Sequence, residues 1–495
     1  METWFLILVT ICLSASFKSL LDILRFRSQI KDEKELPTGV SGITILNHSR
    51  SMGKVIPTVL VSSRVLAHQA LIQKSAIFAN RPEPTYTAKV ISSQFNISSS
   101  NYGSLWRSLR RNITVLLHPS RLKLYSHSLK RSLDILLGSL EPQIGSVVKV
   151  TDVFHHALFC LTSMLCFGEE LDESQMTEME ELIRRFFTIN SRFLVLDKWP
   201  RLTMILMKSR WKELYAIKKE FEDVMLPHVR ARKQLKLSKA GKEDYNSSSL
   251  PSYVDILLEA EVGDDNKGKR KIFDEEITSV CSEFLTAGSD TTSTALQWIM
   301  ANLVKNPAIQ RKLFEEVVKF TGAEAEEVTD DDLAKMPYLK AVVLEGLRRH
   351  PPLHFGLPHA VAEEAELGGY KLPKKAIVNF MVAEMGKDPK VWDEPMKFEP
   401  ERFLDDETFD ITGTREIKMM PFGAGRRICP GYVLGLLELQ YFVANLVLKF
   451  EWNAPDGDTI DLTEKQEFTA VMKQPLRTRL IRRTTKASGN LGDDK

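Results

Sequence analysis

Cysteine is scarce in this chain of 495 residues: Cys12, Cys160, Cys166, Cys281 and Cys429 are odd in number and irregularly spaced. That excludes a disulfide-stapled scaffold and fits a reducing compartment. An excess of one charge is equally missing, since 67 Lys and Arg face 65 Asp and Glu for a net charge of +2. With the signs interspersed, no global field favours a nucleic acid or an acidic polymer, and no nucleic-acid partner is expected. There is no internal repeat, no G-x-G-x-x-G dinucleotide fingerprint and no flavin module. What is present is 43% hydrophobic content, enough to bury the core of one large catalytic fold.

Residues 3–17 carry no charge and are rich in Leu, Ile, Val and Phe. Fifteen helical residues span only about 22 Å of a hydrocarbon core of about 30 Å, and extension to Leu24 closes the gap. Lys18 and Asp22, four apart, share a helix face within that extension. Glu2 precedes the run, Lys18, Arg25, Arg27 and Lys31 follow it, and no small-x-small cleavage site ends it. This polarity argues against a cleaved signal peptide and for an uncleaved anchor over 1–25, with everything downstream cytosolic. The sequons at Asn47, Asn96, Asn112 and Asn246 would then never meet a glycosyltransferase.

Helical periodicity dominates the remainder, over 120–140, 175–189, 211–235, 273–303, 339–349 and 432–448. Strand signals are short: 55–61, 369–372, 376–381 and 476–481. The expected class is mainly α with small β-sheets, in one catalytic domain over 26–483. The polar stretches 238–252 and 261–271 read as surface connections, and 484–495 as a disordered tail.

One segment decides the chemistry. Phe422-Gly423-Ala424-Gly425-Arg426-Arg427-Ile428-Cys429-Pro430-Gly431 sets a single cysteine in a glycine-punctuated loop, just before an apolar helix. A free thiol has a pKa of about 8.5, so a permanent thiolate needs nearby positive charge, amide donors or a metal. This segment supplies arginines, amides and a helix N-terminus. Its pattern F-x-x-G-x-R-x-C-x-G resembles the haem-binding loop of the cytochrome P-450 (haem-thiolate monooxygenase) superfamily.

Further matches follow in the superfamily's order. Ala287-Gly288-Ser289-Asp290-Thr291-Thr292 interrupts a long apolar helix with residues of poor helix propensity, and is similar to the [AG]-G-x-[DE]-T-[ST] signature of the helix that crosses the oxygen-binding face. Glu345-x-x-Arg348 and Phe398-Glu399-Pro400-Glu401-Arg402-Phe403 resemble the E-x-x-R and P-E-R-F signatures. Trp106-x-x-x-Arg110 and Pro358-His359 match haem-edge positions, and Phe78-Ala79-Asn80-Arg81-Pro82 matches a short helix that adds register but no chemistry. The runs 351–359 and 368–370 look like plant-type microsomal members.

The resemblance implies a P-450 fold, with haem b held between the central helix and the cysteine loop. Cys429 would be the axial metal ligand. Trp106, Arg110, His359 and Arg427 would meet haem propionates, with Phe422 and Gly423 flanking the cofactor. Asp290 and Thr291 would deliver protons, and Gly288 would open a groove for dioxygen. Glu345, Arg348 and Arg402 would form a buried triad. The implied reaction inserts one oxygen atom from O2 into a lipophilic small molecule, with NADPH electrons supplied by a membrane-bound cytochrome P-450 reductase. Arg107, Arg111, Lys123 and Arg426 are candidates to dock that reductase, and endoplasmic reticulum membrane is the implied location. The pair Asp290 and Thr291 sets the chain apart from reductase-independent haem-thiolate isomerases and dehydratases. A departure lies upstream: Leu36-Pro37-Thr38-Gly39 replaces the usual proline-rich hinge, and the interval to Trp106 is short by roughly a helix and a loop. From this, part of the first sheet is expected to be altered or absent, which keeps an inactive haem-binding paralogue as a second reading. His155-His156, adjacent on a helix and pointing about 100° apart, read as structural.

Overall fold

A computed structural model describes residues 43–51, 54–92, 95–239, 251–264, 268–322, 324–404 and 409–483. The expected anchor over 1–25, the replaced hinge at 36–39 and the expected tail over 484–495 lie outside the described residues.

The helices that build the body are α1 (Ser104–Leu116), α2 (Ser126–Leu140), α3 (Thr151–Phe167), α4 (Glu173–Lys198), α5 (Lys208–Lys239), α6 (Asp274–Lys305), α7 (Pro307–Thr321), α8 (Pro337–Arg349) and α9 (Tyr432–Lys449). Their ends follow local chemistry. Asp172 caps α4, its carboxylate accepting from Gln175 N while Gln175 reaches back to Asp172 N. Asp274, Glu275 and Glu276 sit in the first turn of α6 and Lys305 in its last, each sign matched to the helix dipole. Gly168, at φ 74°, ends α3 in the left-handed conformation.

α6 runs through the centre, packed along α3 on one side and against α8 and α9 on others. Phe154, Phe159, Leu296, Ile299, Phe442 and Trp452 are all buried in this shared core. At roughly 1.5–3 kcal/mol for each large apolar side chain, such burial is the main force assembling the helices. α9 has the length and hydropathy of a membrane span, yet most of it is buried inside the fold. α3 did not stand out by periodicity for the same reason. From Ala157 to Phe167 it is buried on every face and carries no polar stripe.

The strands form small sheets. β1 (Ile43–Ser51) and β2 (Lys54–Val61) pair antiparallel. They continue through β9 (Ile377–Phe380), parallel to β2, to β6 (His359–Ala360). β3 (Val147–Lys149) joins β10 (Phe450–Asn453) and β13 (Arg477–Arg482). Three hairpins complete the set: β4 (Glu261–Asp264) with β5 (Gly268–Lys271), β7 (Ala365–Leu367) with β8 (Tyr370–Leu372), and β11 (Glu464–Gln466) with β12 (Ala470–Met472).

Two expectations are corrected here. The first sheet is present with four strands, so the short upstream interval does not remove it. The stretch 261–271 is a paired hairpin rather than a loose connection: Val262 is buried, and Ser104 at the start of α1 donates to Gly263 O at 2.9 Å.

Candidate active site

The loop before α9 is folded tightly around Cys429. Its amide donates to Phe422 O at 2.8 Å, which closes the turn. Gly423 and Gly425 take φ values of 71° and 69°, a region that favours glycine. At Gly425 space is as decisive as torsion, because a Cβ would lie 1.9 Å from Leu71 O. Cys429 is half-buried. Burial pushes its pKa up, and the Gly431 amide and the Arg110 guanidinium oppose that rise.

Cations gather in the same region. Arg110 donates to Ile428 O at 2.6 Å. Arg427 donates to Ala79 O at 2.7 Å, Ile97 O at 3.1 Å and Ser100 O at 2.6 Å, with its guanidinium 4.6 Å from the Trp106 ring centre. Arg81 is buried and donates to Ser98 O at 2.7 Å and to Leu357 O and Pro358 O at 2.8 and 2.9 Å. Burial, followed by repulsion from Arg81 and Arg110, drops the Arg427 pKa to about 9, and burial drops that of Arg81 to about 10. The nearby carboxylate, Glu283, spends both oxygens on the Ile97 and Ser98 amides at 2.7 and 2.6 Å.

His359, on β6, accepts no charge in this company. Its Nδ1 donates to Phe78 O at 2.6 Å, and burial with Arg81 behind it holds its pKa near 3. Trp106 is buried, with its indole N–H lacking any partner. Several cations and an orphaned donor around one thiol make a site short of negative charge. A dianionic porphyrin edge would supply it, so the residues fit haem.

The structure therefore brings Trp106, Arg110, His359, Arg427 and Cys429 to one region. Arg81, which the sequence reading left without chemistry, joins them. Phe78 to Pro82 is also not a helix, but a turn whose Asn80 bridges Ala360. The missed signal is the cation within the Phe78-Ala79-Asn80-Arg81-Pro82 match itself.

On α6, Thr291 Oγ1 donates to Ala287 O at 2.6 Å, one turn back. Asp290 Oδ1 lies 2.6 Å from His155 Nε2 on α3, so His155 is tied to the acid–alcohol pair rather than being merely structural. Gly288 faces α3, where a Cβ would meet Thr162 Cγ2 at 2.6 Å. Its smallness allows the close packing of α6 on α3 at this point. Glu438 of α9, buried against Thr292 at 3.1 Å, also went unread in the sequence; burial lifts its pKa to about 8.

The expected triad assembles. Arg348 makes a bidentate pair with Glu345 at 2.6 and 2.8 Å, and Arg402 reaches the same carboxylate at 3.2 Å. Glu345 and Arg348 are fully buried.

A cysteine loop tied to Arg110, with further arginines close by and an acid–alcohol pair on the central helix, is the combination that the haem-thiolate resemblance implies. The family model described as Cytochrome P450 matches residues 50–482, and the chain belongs to that family. It is 47% identical over 442 residues to Cytochrome P450 89A9 of Arabidopsis thaliana, covering 86% of this chain and 84% of that protein. It is 29% identical to the phenylacetaldehyde oxime monooxygenase CYP71AN24 of Prunus mume, over 86% and 80% of the two chains. It is likewise 29% identical to tabersonine 16-hydroxylase 2 of Catharanthus roseus, over 84% and 81%. A zebra fish cytochrome P450 solved with progesterone superimposes with a TM-score of 0.73 at 22% identity, covering 89% and 96%, which establishes the mainly helical fold with small sheets. The chain is thus an enzyme of the plant cytochrome P450 class, with a general monooxygenase role.

Proposed function

We propose that this chain is a membrane-anchored monooxygenase that inserts one oxygen atom from O2 into a hydrophobic small molecule, by hydroxylation or epoxidation. The observation that carries the reading is the convergence of Cys429, three guanidinium groups and the unpaired Trp106 indole N–H in one region. Cys429 would hold haem iron. Trp106, Arg81, Arg110, Arg427 and neutral His359 would meet the propionate edge, with Phe422 and Gly423 shaping the loop beneath. Haem on a cysteine thiolate supplies the electron push that favours O–O cleavage.

Around that chemistry the chain's own residues have distinct tasks. Thr291, whose hydroxyl is now turned to Ala287 O, would hold a water for proton transfer, and Asp290 would supply the proton. Glu283 ties the loop at Ile97 and Ser98 to α6, which fixes one wall of the substrate region. Phe355, Leu357 and Phe468 keep large apolar surface exposed, in keeping with a lipophilic substrate.

Electrons would come from NADPH through a cytochrome P450 reductase, docked on exposed Arg107, Arg111, Lys123 and Arg426. Lys123 already pairs with Asp331 at 3.0 Å, so it would exchange partners on docking. The catalytic domain would occupy 26–483, with 1–25 anchoring it in the endoplasmic reticulum membrane and 484–495 as a polar tail. The names of two relatives, a phenylacetaldehyde oxime monooxygenase and a tabersonine 16-hydroxylase, support small-molecule substrates without selecting one.

The test is expression of the full chain in microsomes with a plant reductase. A thiolate Soret band in the reduced, carbon monoxide-treated spectrum and NADPH-dependent turnover within a lipophile panel are expected. Turnover independent of NADPH would favour isomerase or dehydratase chemistry. A correct spectrum with no NADPH consumption would favour an inactive paralogue. Glycosidase treatment should leave the electrophoretic mobility unchanged if the domain faces the cytosol.

A further inference from the structure

The Asp290 carboxylate on α6 is the more exposed end of a half-buried chain of ionisable groups. His155 on α3 places Nε2 2.6 Å from Asp290 Oδ1 and Nδ1 2.6 Å from Glu180 Oε1 on α4. A neutral imidazole owns one N–H, so between two carboxylates it would leave a lone pair facing an oxygen. Only the imidazolium donates to both. The His155 side chain is 13% exposed and stacks on Phe159 at 6.1 Å, so the bridge is shielded from solvent screening.

The surroundings reinforce the charge balance. From α4, Glu180 also meets His156 Nδ1 and Arg184 Nη2, both at 3.1 Å. Arg184 approaches His155 Nδ1 at 3.4 Å, a longer and weaker contact than that of Glu180. On α3, His156 Nε2 lies 3.6 Å from Cys160 Sγ. Burial would lower the His155 pKa, but hydrogen bonds to Asp290 and Glu180 outweigh it and raise the value to about 9. Hydrogen bonds from His155 and His156, against burial, pull Glu180 down to about 2.

We propose that His155 is a positioning residue for oxygen activation: a standing imidazolium, held charged by Glu180, that returns a proton to Asp290 each time Asp290 gives one up. The proposal rests on the monooxygenase reading of Asp290. In the step, the His155 Nε2–H bond breaks and an Asp290 O–H bond forms, leaving neutral imidazole with its proton on Nδ1 toward Glu180. An excess proton from bulk solvent, relayed by water at the partly exposed Asp290 side chain, then restores the Nε2–H bond. No electron moves.

Two measurements on the full-length holoenzyme test it. In the ferrous carbon monoxide form, nitrogen NMR of labelled histidine, with His155 assigned by its loss in His155→Gln, should show an imidazolium at about pH 7.5. Glu180→Gln should lower its midpoint by about one pH unit or more. In substrate-free, reductase-coupled turnover, NADPH consumption divides between hydrogen peroxide and the more proton-demanding reduction to water. The water-forming rate should fall about ten-fold or more in His155→Gln, with the thiolate spectrum intact. Glutamine keeps an N–H for Asp290 but no transferable proton, so a purely structural role would leave that split unchanged. A neutral His155 at about pH 7.5 in the wild type, or an unaltered split in folded His155→Gln, overturns the proposal. A wild type that forms no thiolate band or consumes no NADPH instead sinks the monooxygenase reading, and is told apart on that ground.

Discussion

Gly425 presses its Cα against the carbonyl of Leu71 so closely that a methyl group there would stand 1.9 Å from the oxygen, which clamps the cysteine loop to the helical turns before Phe78. With φ at 69°, the position also resists any side chain through torsion. Gly425→Ala should therefore destabilise the protein by about 1–3 kcal/mol or more and abolish the thiolate band. Thermal unfolding and the carbon monoxide spectrum check this; a normal holoprotein would show that the loop moves freely.

At Gly288 the obstacle is a side chain, so the expected outcome is a rescue. Gly288→Ala should cost about 1–3 kcal/mol by pushing on Thr162 Cγ2. Adding Thr162→Ser, which removes the obstructing methyl, should recover most of it. An oxygen-groove role predicts lost activity that Thr162→Ser leaves unrepaired, so a double-mutant cycle in unfolding and turnover separates the two.

Glu345→Ala leaves Arg348 charged with its carboxylate gone, in a place with no water to replace it. Breaking such a pair costs roughly 3–5 kcal/mol. No soluble, haem-loaded protein is expected, and ordinary haem incorporation in this variant would refute the structural role of the triad.

Trp106→Phe keeps the ring stacked beneath Arg427 while deleting the unpaired indole N–H. A hydrogen bond to a charged group contributes about 1.5–3 kcal/mol, so haem transfer to apomyoglobin should speed up about ten-fold or more. Because the N–H has no protein partner, the apoprotein's unfolding should stay unchanged. Equal haem retention would count against a propionate at this edge.

Stability should peak near the unfolded-state histidine pKa of about 6.5. His350, stacked on Trp298 at 4.0 Å, is lowered to about 4 by burial, more than its bond to Glu464 restores. Its stabilisation is full above pH 6.5 and is lost as pH falls through about 4. His155, raised to about 9, contributes stability that is full below pH 6.5 and gone above about pH 9. Each limb approaches a slope of about 1.4 kcal/mol per pH unit per proton. His155→Gln should flatten the alkaline limb alone in denaturant titrations across pH, and an unchanged limb would show that the imidazolium does not contribute.

The sequence foretold the helices whose apolar residues recur on one face. The expected 273–303 and 432–448 became α6 and α9 within two residues at each end. It foretold β2, β9 and β13 through short β-branched runs. α3 escaped because burial on all sides erases the period, and β1 because its partner, rather than its own alternation, organises it. The hairpin of β4 and β5 looked like a linker since most of its residues are charged and only Val262 turns inward.

By itself the sequence determined the candidate reactive groups: a thiol in a loop that glycine alone permits, and an acid and an alcohol on one helix, because motif spacing and backbone torsion are local properties. Tertiary structure alone decided their company. Residues 81, 110 and 427 meet only after the chain returns from opposite ends, and a histidine 135 positions away reaches Asp290 only through the crossing of α3 and α6. Charge and proton traffic depend on distance in space and on exclusion of water, and neither is written in the order of residues along a chain.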